Sequence, residues 1–129
     1  MASQHIQVTL SVQNVTASVG FYRDVLGFDF QGYWDPVKNE ATPDWAGDEQ
    51  PPYAEVRWGD ARIGFLPVDA APSTEGIQLS LHIDELEGFR QQLIDRGANP
   101  DELIQQDWGP ATFDLRDPGG YLWKFLGPA

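Results

Sequence analysis

Residues 7–12 read Gln-Val-Thr-Leu-Ser-Val, and residues 78–83 read Gln-Leu-Ser-Leu-His-Ile. Both stretches alternate polar and apolar side chains with a period of two, which is typical of a β-strand with one buried face. Each is followed by a short polar link and then by apolar residues at helical spacing. The chain therefore contains an internal repeat of strand and helix, and this repeat decides the fold class.

The two helical stretches end on glycines. The stripe of the first helix consists of Val15, Val19, Tyr22 and Leu26. These spacings place all four side chains on one helix face. Thr16 is the expected N-cap and Gly27 the expected C-terminal stop. The stripe of the second helix consists of Leu86, Phe89 and Leu93, and Gly97 ends it.

Short strand-like segments follow each helix. The first half is predicted to have strands at residues 28–34, 53–58 and 61–67, and the second at residues 103–107, 111–116 and 121–126. Gly59-Asp60 and the Asp-Pro-Gly-Gly run at 117–120 are typical of tight turns between strands. Each half therefore reads βαβββ. The predicted fold class is α+β, with two tandem βαβββ modules forming a curved mixed sheet with a concave ligand cup.

The length of 129 residues allows one domain with a proper core. A single domain over 1–129 is expected, with module one at about 5–67, a linker at 68–76 and module two at about 77–126. Residues 35–52 form a Pro-rich, acidic stretch without periodicity and without a counterpart in the second half. A loop of that length is usually either functional or disordered.

The formal net charge of −12 and the pI near 4.2 argue against nucleic acid as a partner. Such a field attracts cationic ligands, although solubility alone also explains it. No apolar run reaches the length of a membrane span, and the first residues lack the pattern of a signal peptide. The absence of Cys fits a reducing compartment, so a cytoplasmic location is expected.

Two motifs resemble a known family. Residues 18–28, Ser-Val-Gly-Phe-Tyr-Arg-Asp-Val-Leu-Gly-Phe, resemble the first-helix signature of the vicinal oxygen chelate superfamily. Residues 116–123, Arg-Asp-Pro-Gly-Gly-Tyr-Leu-Trp, resemble its closing hairpin. The superfamily includes glyoxalase I, extradiol dioxygenases, fosfomycin-modifying enzymes and metal-free bleomycin-binding proteins. Asp-Trp-Gly at 107–109 ahead of residues 113–118 looks most like the bleomycin-resistance branch, which implies a homodimer.

The resemblance also indicates where a metal ion would be held. In the metal-dependent enzymes the ligand positions correspond here to Gln7, Gly64, Gln78 and Lys124. Glycine offers no side-chain ligand, lysine places a cation where a divalent ion would lie, and a neutral amide is a poor sole anchor. Neither a metal ion nor another cofactor is therefore expected.

Strand alternation identifies the side chains that face the cup. The expected ligand-binding residues are Gln7, Thr9, Trp34, Glu55, Gln78, Ser80, His82, Trp108 and Lys124. The two tryptophans lie beside loops and can stack on flat ligand groups or pack within the protein. His82 can act as a general base or be an ordinary hydrogen-bonded residue, and Glu55 can equally be a solvated carboxylate.

The resulting prediction is a binding protein of the bleomycin-resistance type. It would sequester an aromatic small molecule, which can also be cationic, without chemistry, as a homodimer, and with no catalytic residues, nucleic acid or membrane partner. The alternative is a glyoxalase- or dioxygenase-like enzyme with a displaced metal site, or a metal-free catalyst that uses His82 or Glu55. A scaffold that has lost its ligand is the third interpretation.

Overall fold

The computed structural model describes residues 4–128. The chain divides into two compact units, one up to Pro72 and one from Ser73 onward. Each unit has its own helix and its own sheet. Within the described residues, no helix has the length and apolar character needed to cross a membrane.

The first unit contains one helix and five strands. Its elements are β1 (Gln7–Val12), α1 (Val15–Gly20), β2 (Asp29–Asp35), β3 (Glu40–Thr42), β4 (Ala54–Trp58) and β5 (Ala61–Pro67). The strand order in the sheet is β1-β5-β4-β2-β3. β1 pairs with β5 in parallel, and the other neighbours are antiparallel.

The second unit repeats this plan with four strands. Its elements are β6 (Gln78–His82), α2 (Leu86–Asp95), β7 (Ile104–Gln105), β8 (Ala111–Arg116) and β9 (Leu122–Gly127). The order is β6-β9-β8-β7, with β6 and β9 parallel. This is the order of the first sheet without β3. The predicted α+β class and the tandem βαβββ modules are confirmed.

The N-cap of the first helix lies two residues earlier than predicted. Asn14, not Thr16, is the N-cap, because its side-chain oxygen accepts a hydrogen bond from the backbone N–H of Ala17 at 3.0 Å. The Thr16 hydroxyl instead donates to the same Asn14 oxygen. The helix continues as a wider π-helical turn over Phe21–Leu26 and ends at Gly27, whose φ of 86° lies in the left-handed region that favours glycine.

Apolar residues of the predicted stripes form the two cores. In the first unit the ring of Tyr22 packs edge-on against Phe28 and Phe65, with centroids 5.4 and 5.0 Å away. In the second unit Phe125 stacks on Phe113 at 4.9 Å and contacts Phe89 at 5.4 Å. These aromatic contacts bury one face of each sheet and leave the other face open.

Three predicted segments need correction. Residues 35–52 contain strand β3, which pairs with the end of β2. Its sequence, Glu-Ala-Thr, is too short to show a strand pattern. Pairing with the neighbouring strand stabilises it. The strand predicted at 103–107 is reduced to β7, and Trp108 lies in the turn that follows. The strand predicted at 28–34 begins and ends one residue later.

Candidate functional site

The open face of the first sheet carries a row of polar side chains on β4. Ala54 and Val56 point into the core and are fully buried. Tyr53, immediately before β4, and Glu55 and Arg57 within it therefore lie on the opposite face and are half-buried. Trp34 of β2 lies beside this row, since its backbone N–H donates to the carbonyl oxygen of Tyr53 at 2.8 Å.

Side-chain hydrogen bonds connect these residues across the sheet. The Gln7 amide donates from Nε2 to the Tyr53 hydroxyl at 2.7 Å, and this hydroxyl donates to Glu55 Oε1 at 3.2 Å. Arg57 Nε donates to Glu55 Oε2 at 2.9 Å in an ion pair. Only 15% of the Glu55 side chain is exposed, so it is not the solvated carboxylate that was one alternative. The series of hydrogen bonds from Gln7 to Arg57 fixes the orientation of Tyr53 and Glu55 in the absence of a ligand.

The Tyr53 ring covers Gly64 of β5. A Cβ atom built on Gly64 would lie 2.6 Å from the Tyr53 hydroxyl oxygen, which is closer than such atoms approach in real proteins. Gly64 pairs with Thr9 on one side and with Glu55 on the other. The absence of a side chain at Gly64 is therefore what allows Tyr53 to lie across the sheet.

A concavity of about 240 Å³ opens beside this network. It is lined by Gln31, Gly32, Trp34, Ala41, Tyr53, Glu55 and Arg57. Gly32 has no side chain and lies opposite Glu55 in the β2–β4 pair, and a Cβ atom there would lie 3.0 Å from the side chain of Ala41. Trp34 is 37% exposed, an unusually large accessible area for this side chain. The concavity thus combines an accessible aromatic face with oriented polar groups, the combination found in sites for small molecules.

Tyr53 is expected to ionise at a higher pH than a free tyrosine. Burial raises the pKa of the Tyr53 phenol above its ordinary value, and the nearby charge of Glu55 raises it further. The fold favours the neutral phenol, so this contribution to stability is complete below the unfolded-state pKa of about 10 and is lost as the pH rises through the higher folded-state pKa.

The pKa of Tyr53 is measured from the difference in phenolate absorbance between the wild type and Tyr53→Phe as the pH is raised. The Glu55→Gln variant should lower the pKa of Tyr53, because it removes the neighbouring negative charge. Ionisation of Tyr53 at or below the pH of a free tyrosine would contradict the buried, carboxylate-linked phenol.

The open face of the second sheet is less enclosed. Gln78, Ser80 and His82 alternate along β6 and are exposed. Gln78 donates weakly to the Ser80 hydroxyl at 3.5 Å, and Ser80 is the register partner of Lys124 on β9. Lys124 Nζ forms an ion pair with Asp114 Oδ1 at 2.9 Å. The sheet brings four predicted residues together here: Gln78, Ser80, His82 and Lys124.

The predicted site residues fall into one group per unit. Gln7, Thr9, Trp34 and Glu55 lie in the first sheet, and Gln7 and Glu55 both hydrogen-bond to Tyr53. Trp108 lies in the second unit, in the turn between β7 and β8, and is 67% exposed. Within residues 4–128, no side-chain hydrogen bond or ring contact joins Trp108 to the polar row on β6.

The four positions that the resemblance associates with metal ligation do not fit a divalent cation. Gly64 supplies no donor, and Tyr53 fills the space above it. The Gln7 amide is already hydrogen-bonded to Tyr53, and Lys124 carries a positive charge held by Asp114. Across residues 4–128, no three acidic or histidine side chains are grouped so that they could hold a metal ion. Carboxylate and imidazole ligands, which such ions require, are thus missing from these positions.

Sequence reasoning did not single out Tyr53, Arg57 and Asp114 as site residues. Strand parity could have identified the first two, because both lie at even spacing from Glu55. The tight turn at 117–120 could have identified Asp114, since it sets Asp114 opposite Lys124.

Comparison with known proteins places the chain in a family. The family model described as Glyoxalase/Bleomycin resistance protein/Dioxygenase superfamily matches residues 4–125. The protein belongs to this superfamily. The resemblance inferred from residues 18–28 and 116–123 is confirmed. No curated protein matches the chain.

Several solved structures share the fold of this chain. TioX from Micromonospora sp. ML1 is 18% identical, with 98% of this chain and 100% of that chain covered and a TM-score of 0.76. The bleomycin-binding protein from Streptomyces verticillus, complexed with copper(II)-bleomycin, is 18% identical, with 100% and 99% covered and a TM-score of 0.68. Lactoylglutathione lyase from Agrobacterium tumefaciens is 14% identical, with 98% and 95% covered and a TM-score of 0.68. Binding proteins and enzymes thus share this fold.

Proposed function

We propose that this superfamily member is a small-molecule binding protein of the bleomycin-resistance type, which sequesters a planar aromatic ligand without making or breaking bonds. The similarity in fold to a bleomycin-binding protein supports this proposal. The homodimer and the cytoplasmic location inferred from the sequence stay predictions.

The accessible Trp34 at the concavity of the first sheet carries the proposal. A large aromatic side chain that remains 37% exposed gives up hydrophobic stabilisation that burial would supply. Its ring borders a concavity in which Tyr53, Glu55 and Arg57 are held by hydrogen bonds. A flat ligand that stacks on Trp34 would bury apolar area without requiring the polar groups to rearrange.

The polar groups around the concavity favour binding over catalysis. The Glu55 carboxylate accepts one hydrogen bond on each oxygen, from Tyr53 and from Arg57, which hold it in place. A general base must be within reach of the proton that it removes, and only 15% of the Glu55 side chain is exposed. In the second sheet, His82 is exposed on β6, and within the described residues no side-chain hydrogen bond or ion pair orients its ring. These observations support binding over the metal-free catalyst of the alternative interpretation.

Replacing Trp34 by Ala is expected to weaken the binding of planar aromatic compounds about tenfold or more. The measurement is quenching of tryptophan fluorescence by a panel of aromatic antibiotics and simpler planar compounds. Trp108→Ala, measured in parallel, tests the other predicted stacking residue in the second unit.

Val37→Ala is the matched control, because Val37 is 92% exposed in the turn between β2 and β3 and lies close to Trp34 in the chain. It should leave quenching unchanged. If no compound in the panel quenches in a Trp34- or Trp108-dependent way, the chain is a scaffold without an aromatic ligand and the proposal is wrong.

A further inference from the structure

Two arginines face each other on the open side of the first sheet. Arg57 of β4 and Arg62 of β5 are direct register partners in an antiparallel pair. Side chains in this relation have Cβ atoms roughly 5 Å apart, and like charges there destabilise the sheet. Without negative charge nearby, repulsion between the two guanidinium groups would therefore destabilise the sheet.

Two carboxylates lie near the pair, and within residues 4–128 only one of them forms an ion pair with it. Glu55 forms an ion pair with Arg57, and it also accepts a hydrogen bond from Tyr53. Asp29 is the other register partner of Arg57 and is not joined to it by an ion pair. The other register partner of Arg62 is the neutral Gln7.

Within residues 4–128, no ion pair or side-chain hydrogen bond engages the guanidinium of Arg62. With Asp29 counted, the cluster of Arg57, Arg62, Glu55 and Asp29 is formally neutral, in a chain that carries −12 as a whole.

The cluster adjoins the concavity that contains Trp34. Arg57 lines that concavity, its side chain is 36% exposed, and within the described residues its Nη atoms make no hydrogen bond. Trp34 lies opposite Tyr53, which is four residues from Arg57, or about 13 Å along β4. The length of the arginine side chain reduces this separation. Gly32, which also lines the concavity, contributes no side chain to it. An aromatic ring on Trp34 and an anionic group at the arginines can therefore belong to one small molecule.

We propose that this concavity takes a planar aromatic molecule with an anionic group such as a carboxylate, which Arg57 and Arg62 hold while Trp34 stacks on the ring. This inference rests on the proposed function and adds the charge of the ligand. The negative field of the whole chain opposes an anion, but salt screens it beyond about 8 Å at physiological ionic strength. Charge-assisted hydrogen bonds at close range therefore decide which ligand binds.

The test compares three compounds of similar shape by calorimetry on the full chain: naphthylacetate, naphthylethanol and naphthylethylammonium. The carboxylate should bind about tenfold more tightly than the alcohol, and the ammonium most weakly. Arg57→Gln and Arg62→Gln should each remove most of the preference for the carboxylate, because each deletes charged donors. Arg62→Gln leaves the Glu55–Arg57 ion pair in place, so its effect does not depend on how Glu55 responds.

Arg23→Gln is the control for net charge. It removes the same charge, but Arg23 is paired with Asp24 and lies over the ring of Phe30. The carboxylate preference should survive in this variant. Tighter binding of the ammonium than of the alcohol, or a preference equally reduced in Arg23→Gln, overturns the inference while Trp34-dependent quenching still supports the proposed function. Loss of that quenching across the whole aromatic panel overturns both.

Discussion

Replacing Gly127 by Ala is expected to lower the free energy of unfolding of the second unit by about 3 kcal/mol. A Cβ atom on Gly127 would overlap the backbone carbonyl oxygen of Ile83. Ile83 follows β6, and its backbone N–H donates to the carbonyl oxygen of Leu126 at 2.8 Å. The Cβ atom is fixed to the backbone and its neighbour is a backbone oxygen, so no side-chain rotation can relieve the overlap. β9 and the end of β6 must therefore separate, which weakens this hydrogen bond.

Urea unfolding followed by circular dichroism measures the change, and a midpoint of thermal unfolding lower by on the order of 10 °C should accompany it. Gly88→Ala is the matched control. Gly88 lies in α2 and a Cβ atom there meets nothing within 4 Å, so Ala should stabilise the helix by about 0.5–1 kcal/mol. Equal stability of Gly127→Ala and the wild type would contradict the close approach of β9 to Ile83.

Replacing Gly64 by Ala is expected to cost about 2 kcal/mol and to displace Tyr53. The added methyl group would occupy the position of the Tyr53 ring. When the ring swings away, the hydrogen bonds with Gln7 at 2.7 Å and Glu55 at 3.2 Å are lost. Each such bond contributes about 1 kcal/mol.

A double-mutant cycle separates this cause from a general intolerance of Gly64. In a Tyr53→Ala background, Gly64→Ala should cost almost nothing, so the coupling energy should be about 2 kcal/mol. Gly20→Ala, at a helix position with nothing within 4 Å of the added atom, should show no coupling to Tyr53. Additive effects of Tyr53→Ala and Gly64→Ala would show that the ring does not need the space over Gly64.

Local patterns predicted most of the fold. The alternation in β1 and β6, the apolar stripes of the helices and the stop at Gly27 are each encoded within a few residues of sequence. The short strand β3 and the true N-cap, Asn14, were missed for different reasons. β3 has only three residues, which show no alternation of their own, so its formation depends on pairing with β2. Asn14 competes with Thr16 as a cap, and only geometry decides between two acceptable capping residues.

The candidate site was less accessible from sequence. Alternation correctly placed Gln7 and Glu55 on one face, but the residue that connects them, Tyr53, lies 46 positions from Gln7 in sequence. Its position depends on the empty space at Gly64, which the sequence shows only as a missing metal ligand. Arg62 gained importance only from the strand register that sets it opposite Arg57. Cross-strand relations of this kind depend on tertiary pairing and not on local spacing.

The protein is proposed to bind its ligand without converting it. Recovery of a bound ligand in the presence and absence of a chelator tests this proposal most directly. The full chain is incubated with an aromatic compound that it binds, the affinity is measured, and the compound is extracted and compared by mass with the starting material. The same affinity with and without the chelator, and a compound of unchanged mass, are the expected results. Affinity that falls when metal is removed, or a new product that accumulates with time, would contradict sequestration and favour a superfamily enzyme.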